Sequence, residues 1–539
     1  MSLLPKINGT IKEESGTFCL LPTMLVTCNS TFETAIELFE NRMQKLCGIR
    51  VMPSGEQAAQ LVILENTALT TEEYVLTVEA QRICIEASQI AGANWGLTSL
   101  FHLIWQAKLS FKNELAQVRF FDAPKYRYRG LLVDVARHFF KVAELEKIIE
   151  QMAIYKLNVL HLHLTDDQGW RIESKFFPQL TQGSAEFYTQ EEIKTLVEFA
   201  QKRNISIIPE IDIPGHVSVV LAAYPKLSCT GKAVVVTQAP GIREQILCAG
   251  NPDAMAWACK CLDEVCNLFP GKYLHIGGDE APKTQWKQCP RCAKKMRECG
   301  AAKFEDLQGW FLSQVAQHLH QKGKTTICWN DCLMADALDK KIAVQYWSES
   351  APTGYCTAEK IAGRDMVYSE VFSNYFDYPY AVTPLRKTYE YVPHIGNKTV
   401  EFDAFLCGVE GAIWTEHVTT CEALEQLVFP RMMALAENAW SNTCQYDDFL
   451  KRLPTAVRLS TAMGVCCTPL NLADLSGKAR LKAAGNYFKK TFTSMQSGEI
   501  EMGMSAAELR TMCISMLNGF FEGEELQQVK QMLSLEECI

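Results

Sequence analysis

The sequence predicts an α/β protein built on a (β/α)8 TIM barrel, with a small α/β domain before it and a helical C-terminal extension after it. Three observations predict this. Eight short apolar runs, at 130–135, 158–164, 205–211, 273–277, 325–329, 343–347, 366–369 and 408–414, alternate with helix-sized segments. Such alternation is the mark of parallel βα units. Charged and aromatic residues gather at the C-terminal end of every run, the face on which barrels of this kind carry their sites. The pattern also differs on either side of the runs, which divides the chain into 1–122, 123–460 and 461–539.

Length and composition agree. The 539 residues are 48% hydrophobic, enough for two to four domains or one barrel with attachments. A net charge of −9 argues against a nucleic-acid partner and against an anionic membrane surface. No run of eighteen apolar residues exists, so no transmembrane helix is expected. The stretch Met1–Gly9 lacks the basic and then apolar pattern of a signal peptide. The expectation is a cytoplasmic protein, or a secreted or periplasmic one if a leader has been removed. The 22 cysteines are scattered without the spacing of a disulfide scaffold and read mostly as reduced core thiols. Sequons at Asn8, Asn29, Asn204 and Asn397 matter only in a eukaryotic secretory setting.

Taken in order, residues 31–46 show helical periodicity through Ala35, Ile36, Leu38, Phe39, Met43 and Leu46. Residues 74–79 and 82–87 alternate as strands of a hairpin or meander, and 92–106 forms a helix with a broad apolar face. Nothing in this first domain demands catalysis; it reads as a packing or assembly domain. Asp122-Ala-Pro-Lys-Tyr-Arg-Tyr-Arg-Gly130 punctuates the boundary to the barrel. Within the barrel the fourth connection, 278–324, is long and rich in helix. Beyond 460 the segments are amphipathic helices, such as 524–533, with no candidate strand and no legible function.

The eight run ends carry the candidate chemistry. In order they read Asp134-Val-Ala-Arg137-His138, His161-Leu-His163-Leu-Thr-Asp166-Asp167-Gln-Gly-Trp170 and Glu210-Ile-Asp212-Ile-Pro-Gly-His216. Then come Gly277-Gly-Asp-Glu280, Trp329-Asn-Asp331, Gln345-Tyr-Trp347, Asn374-Tyr-Phe-Asp377 and Trp414-Thr-Glu416. Neighbouring side chains on a regular strand face opposite ways, so Asp279 and Glu280 share a site only if the chain turns at Gly277 and Gly278. Paired carboxylates there suit acid/base work on glycosidic bonds; a solvated acidic helix start is the plainer reading. Tryptophans beside charges suit sugar sites, where rings stack on apolar sugar faces, but each also serves as a rim anchor. His161 and His163, at strand spacing, point one way. They read as core residues satisfied by hydrogen bonds, or as the paired ligands of a zinc-dependent amidohydrolase acting on acetamido sugars.

Together these motifs resemble glycoside hydrolase family 20, the β-N-acetylhexosaminidases, from about Arg127 to Trp440. The match rests on His275-Ile-Gly-Gly-Asp-Glu280, on 158–170, on Pro209–His216, on Leu247-Cys-Ala-Gly-Asn-Pro252 and on 408–416. The resemblance implies exo-acting, retaining release of terminal GlcNAc or GalNAc, the substrate's own 2-acetamido oxygen serving as nucleophile. It calls for no cofactor. By the same resemblance Asp279 orients the acetamido group, and Glu280 is the acid and then the base. His216 and Asp166 form a supporting dyad. Trp329, Trp347 and Trp414 wall the acetamido pocket, and Tyr375 bonds its carbonyl oxygen. Arg137, Asp377 and Glu416 bind the outer hydroxyls. Between Tyr375 and Asp377 the chain has Phe376, where the family more often has Leu. A barrel that binds glycans without turning them over is a further alternative. Cys289-Pro-Arg-Cys292, with Cys299 near, is either half of a structural zinc site or a set of reduced thiols. Sugar preference, linkage, aglycone and oligomeric state are not legible; the loops 224–246 and 348–365 would decide the first three.

Overall fold

The computed structural model describes residues 3–351, 354–355, 357–395, 398–399, 406–497 and 506–533. Eight parallel strands close into a barrel: Tyr128–Asp134, Val159–His163, Ser206–Glu210, Tyr273–His275, Thr325–Trp329, Ala343–Tyr346, Met366–Tyr368 and Leu406–Ile413. The eighth strand closes on the first in parallel register, from Gly408 beside Tyr128 to Ile413 beside Val133. All eight expected strands are present, with ends shifted by a residue or two. The fourth has only three residues because Gly277 and Gly278 take φ of +61° and +97°, which ends the extended backbone.

The barrel interior is polar. His161 Nδ1 lies 3.0 Å from Glu410 Oε1, which also accepts from Gln345 Nε2 at 2.6 Å. Glu210 holds His275 Nδ1 at 2.9 Å and His163 Nδ1 at 2.5 Å, and accepts from Trp329 Nε1 at 2.8 Å. Buried charge is tolerated only when paired and hydrogen-bonded, and this network pairs it. His161 and His163 are therefore core residues. His163 has carboxylates on both ring nitrogens, Glu210 on Nδ1 and Asp166 on Nε2. Burial opposes its charge, yet Glu210 and Asp166 raise its pKa well above the usual range. Both ring nitrogens of His163 are thus held within the network.

The N-terminal part is a mixed seven-stranded sheet. Within it Tyr74–Val78 and Ile83–Ala87 form the expected antiparallel hairpin, and helix Ile90–Leu109 packs on the sheet. It docks through buried ion pairs: fully buried Arg129 reaches Glu72 at 2.6 Å, and Lys156 reaches Asp122 at 3.0 Å. At the other end, helices Gly477–Ser497, Ala506–Phe520 and Gly523–Met532 form a separate apolar cluster around Leu481, Phe488 and Phe520. That cluster includes Ala381 and Val382 from the connection after strand seven, and Arg480 Nε donates to the Ala381 carbonyl at 3.1 Å. The extension therefore packs at the end of the barrel where the strands' C-termini open. No described helix is long and apolar enough to cross a membrane. The Asn397 sequon lies outside the described residues.

Candidate active site

The turn after strand four wraps around Asp212. A Cβ on Gly277 would sit 1.7 Å from Asp212 Oδ1, so only glycine admits the approach. The Gly278 N–H donates to that oxygen at 2.9 Å. The turn continues into Glu280, whose φ of +44° is rare for a side chain with a Cβ. His216, at φ +52°, adopts the same region. Backbone strain of this kind concentrates at functional sites, held there by surrounding bonds. Here Asp331 Oδ1 accepts from the Glu280 N–H at 3.5 Å, and Asp167 accepts from both the backbone and hydroxyl of Ser218, two residues beyond His216.

These turns bring nine of the expected residues to one cavity of about 280 Å3: Arg137, His216, Asp279, Glu280, Trp347, Tyr375, Asp377, Trp414 and Glu416. That is near the lower end for ligand sites, about 300–1,000 Å3. Asp166 lies behind them, with His216 Nδ1 at 3.1 Å and Arg137 Nη2 at 2.8 Å. Burial works against its charge, but Arg137 and the two histidines hold the Asp166 carboxyl well below the carboxylate range. Burial likewise opposes the His216 charge, and Asp166 overcomes it, raising the imidazole well above its usual range. His216 thus faces the cavity as an imidazolium, its Nε2 3.8 Å from Glu280 and 4.0 Å from Asp279.

The two carboxyls are tuned apart. Burial pushes Glu280 up to about 8, His216 resisting and Asp279 assisting. Burial pushes Asp279 only to about 6, because the His216 charge favours its ionised form. Asp212 itself is pushed well above the carboxylate range, by burial and then by Asp279. At pH 7 Glu280 keeps its proton while Asp279 is mostly charged.

The aromatic residues form one cluster. Trp347 stacks on Tyr375 with ring centroids 6.3 Å apart, and Trp414 lies 6.0 Å from Tyr375 and 5.8 Å from Trp329. Trp329 is 1% exposed and supports the wall from beneath, instead of lining it. The Trp347 indole N–H donates to Asp331 Oδ2 at 2.7 Å, which fixes the ring. At the outer end Arg137 lies over the Trp414 ring, 5.2 Å from its centre, and 3.8 Å from Glu416. Burial, with Glu416 alongside, pushes Asp377 up to about 8.

Sequence reasoning left several residues of this site without a role. Asp212 and Asp331 are polar strand-end residues, the signal that pointed to the others. Pro240 to Ile242, from the third connection, and Tyr487, Thr491, Met495 and Met516, from the C-terminal helices, also line the cavity. No local pattern announced these, since their place depends on how distant segments dock. Cys289 and Cys292 stand apart from the cavity, at the start of helix Pro290–Cys299, beside Cys229 and Cys248.

The sequence profile described as "Glycosyl hydrolase family 20, catalytic domain" matches residues 126–443, and "Glycosyl hydrolase family 20, domain 2" matches 1–122. A beta-hexosaminidase of Porphyromonas gingivalis is 33% identical over 76% of this chain, which spans 56% of that relative's length. One from Vibrio furnissii is 31% identical over 81% of this chain and 76% of its own. Among solved structures, a beta-N-acetylhexosaminidase from Bacteroides fragilis superposes with a TM-score of 0.76 at 28% identity, over 87% of this chain and 97% of that one. A Vibrio harveyi exo beta-N-acetylglucosaminidase in complex with N-acetylglucosamine gives the same score and identity, over 87% and 78%.

Proposed function

The chain belongs to glycosyl hydrolase family 20 and is thereby a glycoside hydrolase, and we propose that it is an exo-acting, retaining β-N-acetylhexosaminidase releasing terminal non-reducing GlcNAc or GalNAc. The observation that carries this is a pair of adjacent carboxyls, Asp279 and Glu280, facing one small aromatic-walled cavity beside His216, with burial pushing Glu280 further up, to about 8, than Asp279, to about 6. A general acid must hold a proton at working pH, and a charge-stabiliser must have lost its own.

The acetamido carbonyl oxygen attacks the anomeric carbon as the bond to the leaving oxygen breaks, and Glu280 gives its proton to that oxygen. Asp279 accepts the acetamido N–H and offsets the positive charge growing on the oxazolinium ring. Glu280, now charged, takes a proton from water as it opens the ring, so the configuration is retained. Tyr375 and the Trp347 and Trp414 rings hold the acetamido group against the anomeric carbon, an orientation effect. Arg137, Asp377 and Glu416 bind the outer hydroxyls and close that end, which makes the action exo. We read residues 1–122 and 461–539 as parts that frame the barrel, 123–460; the partner is a glycan ending in β-linked N-acetylhexosamine, without nucleic acid or membrane.

The test pairs Asp279→Asn and Glu280→Gln on aryl N-acetylglucosaminides with good and poor leaving groups. Asp279→Asn should lose about 10²–10³ in kcat on either, as loss of a charge-stabilising contact does. Glu280→Gln should lose about 10²–10⁴ on the poor leaving group and far less on the good one. Full activity of either variant on the poor leaving group refutes the assignment. A panel of terminal sugars differing at the 4-position and linkage then defines the substrate.

A further inference from the structure

Cys229, Cys248, Cys289 and Cys292 come from two different connections of the barrel, yet their sulfurs all lie within 4.8 Å of one another. Cys248 and Cys292 stand 3.6 Å apart, Cys229 and Cys292 3.7 Å, and Cys248 and Cys289 3.8 Å, sulfur to sulfur. A zinc–sulfur bond of about 2.3 Å sets the edge of a regular ZnS4 tetrahedron at about 3.8 Å. A disulfide would need about 2.0 Å. Three of the four cysteines are buried and the fourth is half-buried.

We propose that these four cysteines form a structural zinc site that ties the third barrel connection to the fourth. The backbone is shaped for it. A Cβ on Gly250 would fall 2.2 Å from the Arg291 carbonyl carbon and 2.4 Å from the Cys292 nitrogen, so only glycine lets the Cys248 turn close on the helix that carries Cys292. Cys289 occupies the N-cap position of helix Pro290–Cys299 and Cys292 lies in its first turn. Arg291 Nη2 donates to the carbonyls of Ser228 and Cys229, at 2.8 and 3.3 Å, drawing the Cys229 strap onto the same helix. A fully liganded tetrathiolate leaves no open position, so its role is structural. Binding releases the thiol protons to solvent.

The site lies at the root of the cavity rim. Cys229 and Cys248 bracket a segment in which 231–240 has no regular secondary structure, and Pro240, Gly241 and Ile242 from that segment line the cavity. The ion would replace the sheet or helix bonds that this stretch lacks.

The experiment is elemental analysis of the full chain, purified under reducing conditions, with cobalt substitution and mass-spectrometric counting of thiols. The proposal expects about one zinc per chain, released by a thiol-binding mercurial. It expects cobalt to give the intense charge-transfer bands of tetrahedral thiolate ligation. Cys248→Ser and Cys292→Ser should lose the metal, and Cys299→Ser, outside the cluster, should keep it. Chelation should lower the melting temperature, and zinc but not magnesium should restore it. Wild-type protein that neither contains nor takes up zinc, or that carries a disulfide among the four, overturns the proposal even if the serine variants do not fold.

Discussion

His216→Asn tests the electrostatics of the site most directly. The imidazolium lies 3.8 Å from Glu280 and 4.0 Å from Asp279, and at these distances acts on both carboxyls through its charge. At an effective dielectric constant of about 20, a unit charge about 4 Å away is worth about 4 kcal/mol. That converts to a ceiling of about three pH units, and water entering the vacated space reduces it to about two. In the parent, kcat/KM should fall on the acid side as Asp279 takes a proton, near pH 6, and on the alkaline side as Glu280 loses one, near pH 8. Removing a positive charge raises both limits, so the whole window slides upward. A slide of about two units cuts the competent fraction at pH 7 about ninefold, and much of the loss returns near pH 9. The assay is kcat/KM against pH on an aryl N-acetylglucosaminide for parent and variant, each folded by circular dichroism. Limb positions do not depend on the absolute rate, so a general loss of activity cannot mimic the result. Limbs that stay in place refute a charged His216 coupled to the two carboxyls.

Two further outcomes follow from the same geometry. A carboxyl whose folded pKa is raised costs stability above its unfolded pKa, and Glu280 rises from 4.5 to about 8. Glu280→Gln should therefore stabilise the fold at pH 7 by about 2 kcal/mol, allowing for the water that reaches the side chain, with the gain vanishing below about pH 4.5. Urea midpoints of both proteins at pH 4 and pH 7 measure this, and a gap that is the same at both pH values contradicts it. Tyr487 lines the cavity from the C-terminal helices, so Tyr487→Ala should raise KM several-fold while leaving the pH limbs unmoved. An unchanged KM would show that those helices contribute nothing to binding.

Much of this protein could be read from the chain because its signals are local. An apolar run followed by a polar end is set by a few neighbouring residues, and eight of them in alternation with helices leave few alternatives to a closed barrel. The Gly-Gly step declared itself because glycine takes positive φ without strain and leaves room for a close neighbour, which lets Asp279 and Glu280 face one site. Tertiary structure decided what depends on distance through space. It turned His161 and His163 into members of a buried hydrogen-bonded network, by bringing Glu210 and Glu410 from other strands. It set Trp329 beneath the wall and packed Asp212 against the Gly277 turn. It brought Tyr487 and Met516 to a cavity whose other walls lie far away in sequence. It also joined Cys229 and Cys248 to a Cys-x-x-Cys pair that had looked to Cys299 for company. Periodicity and turn chemistry are written in consecutive residues; charge, burial and ligation depend on which segments meet, and that is settled only when the chain folds.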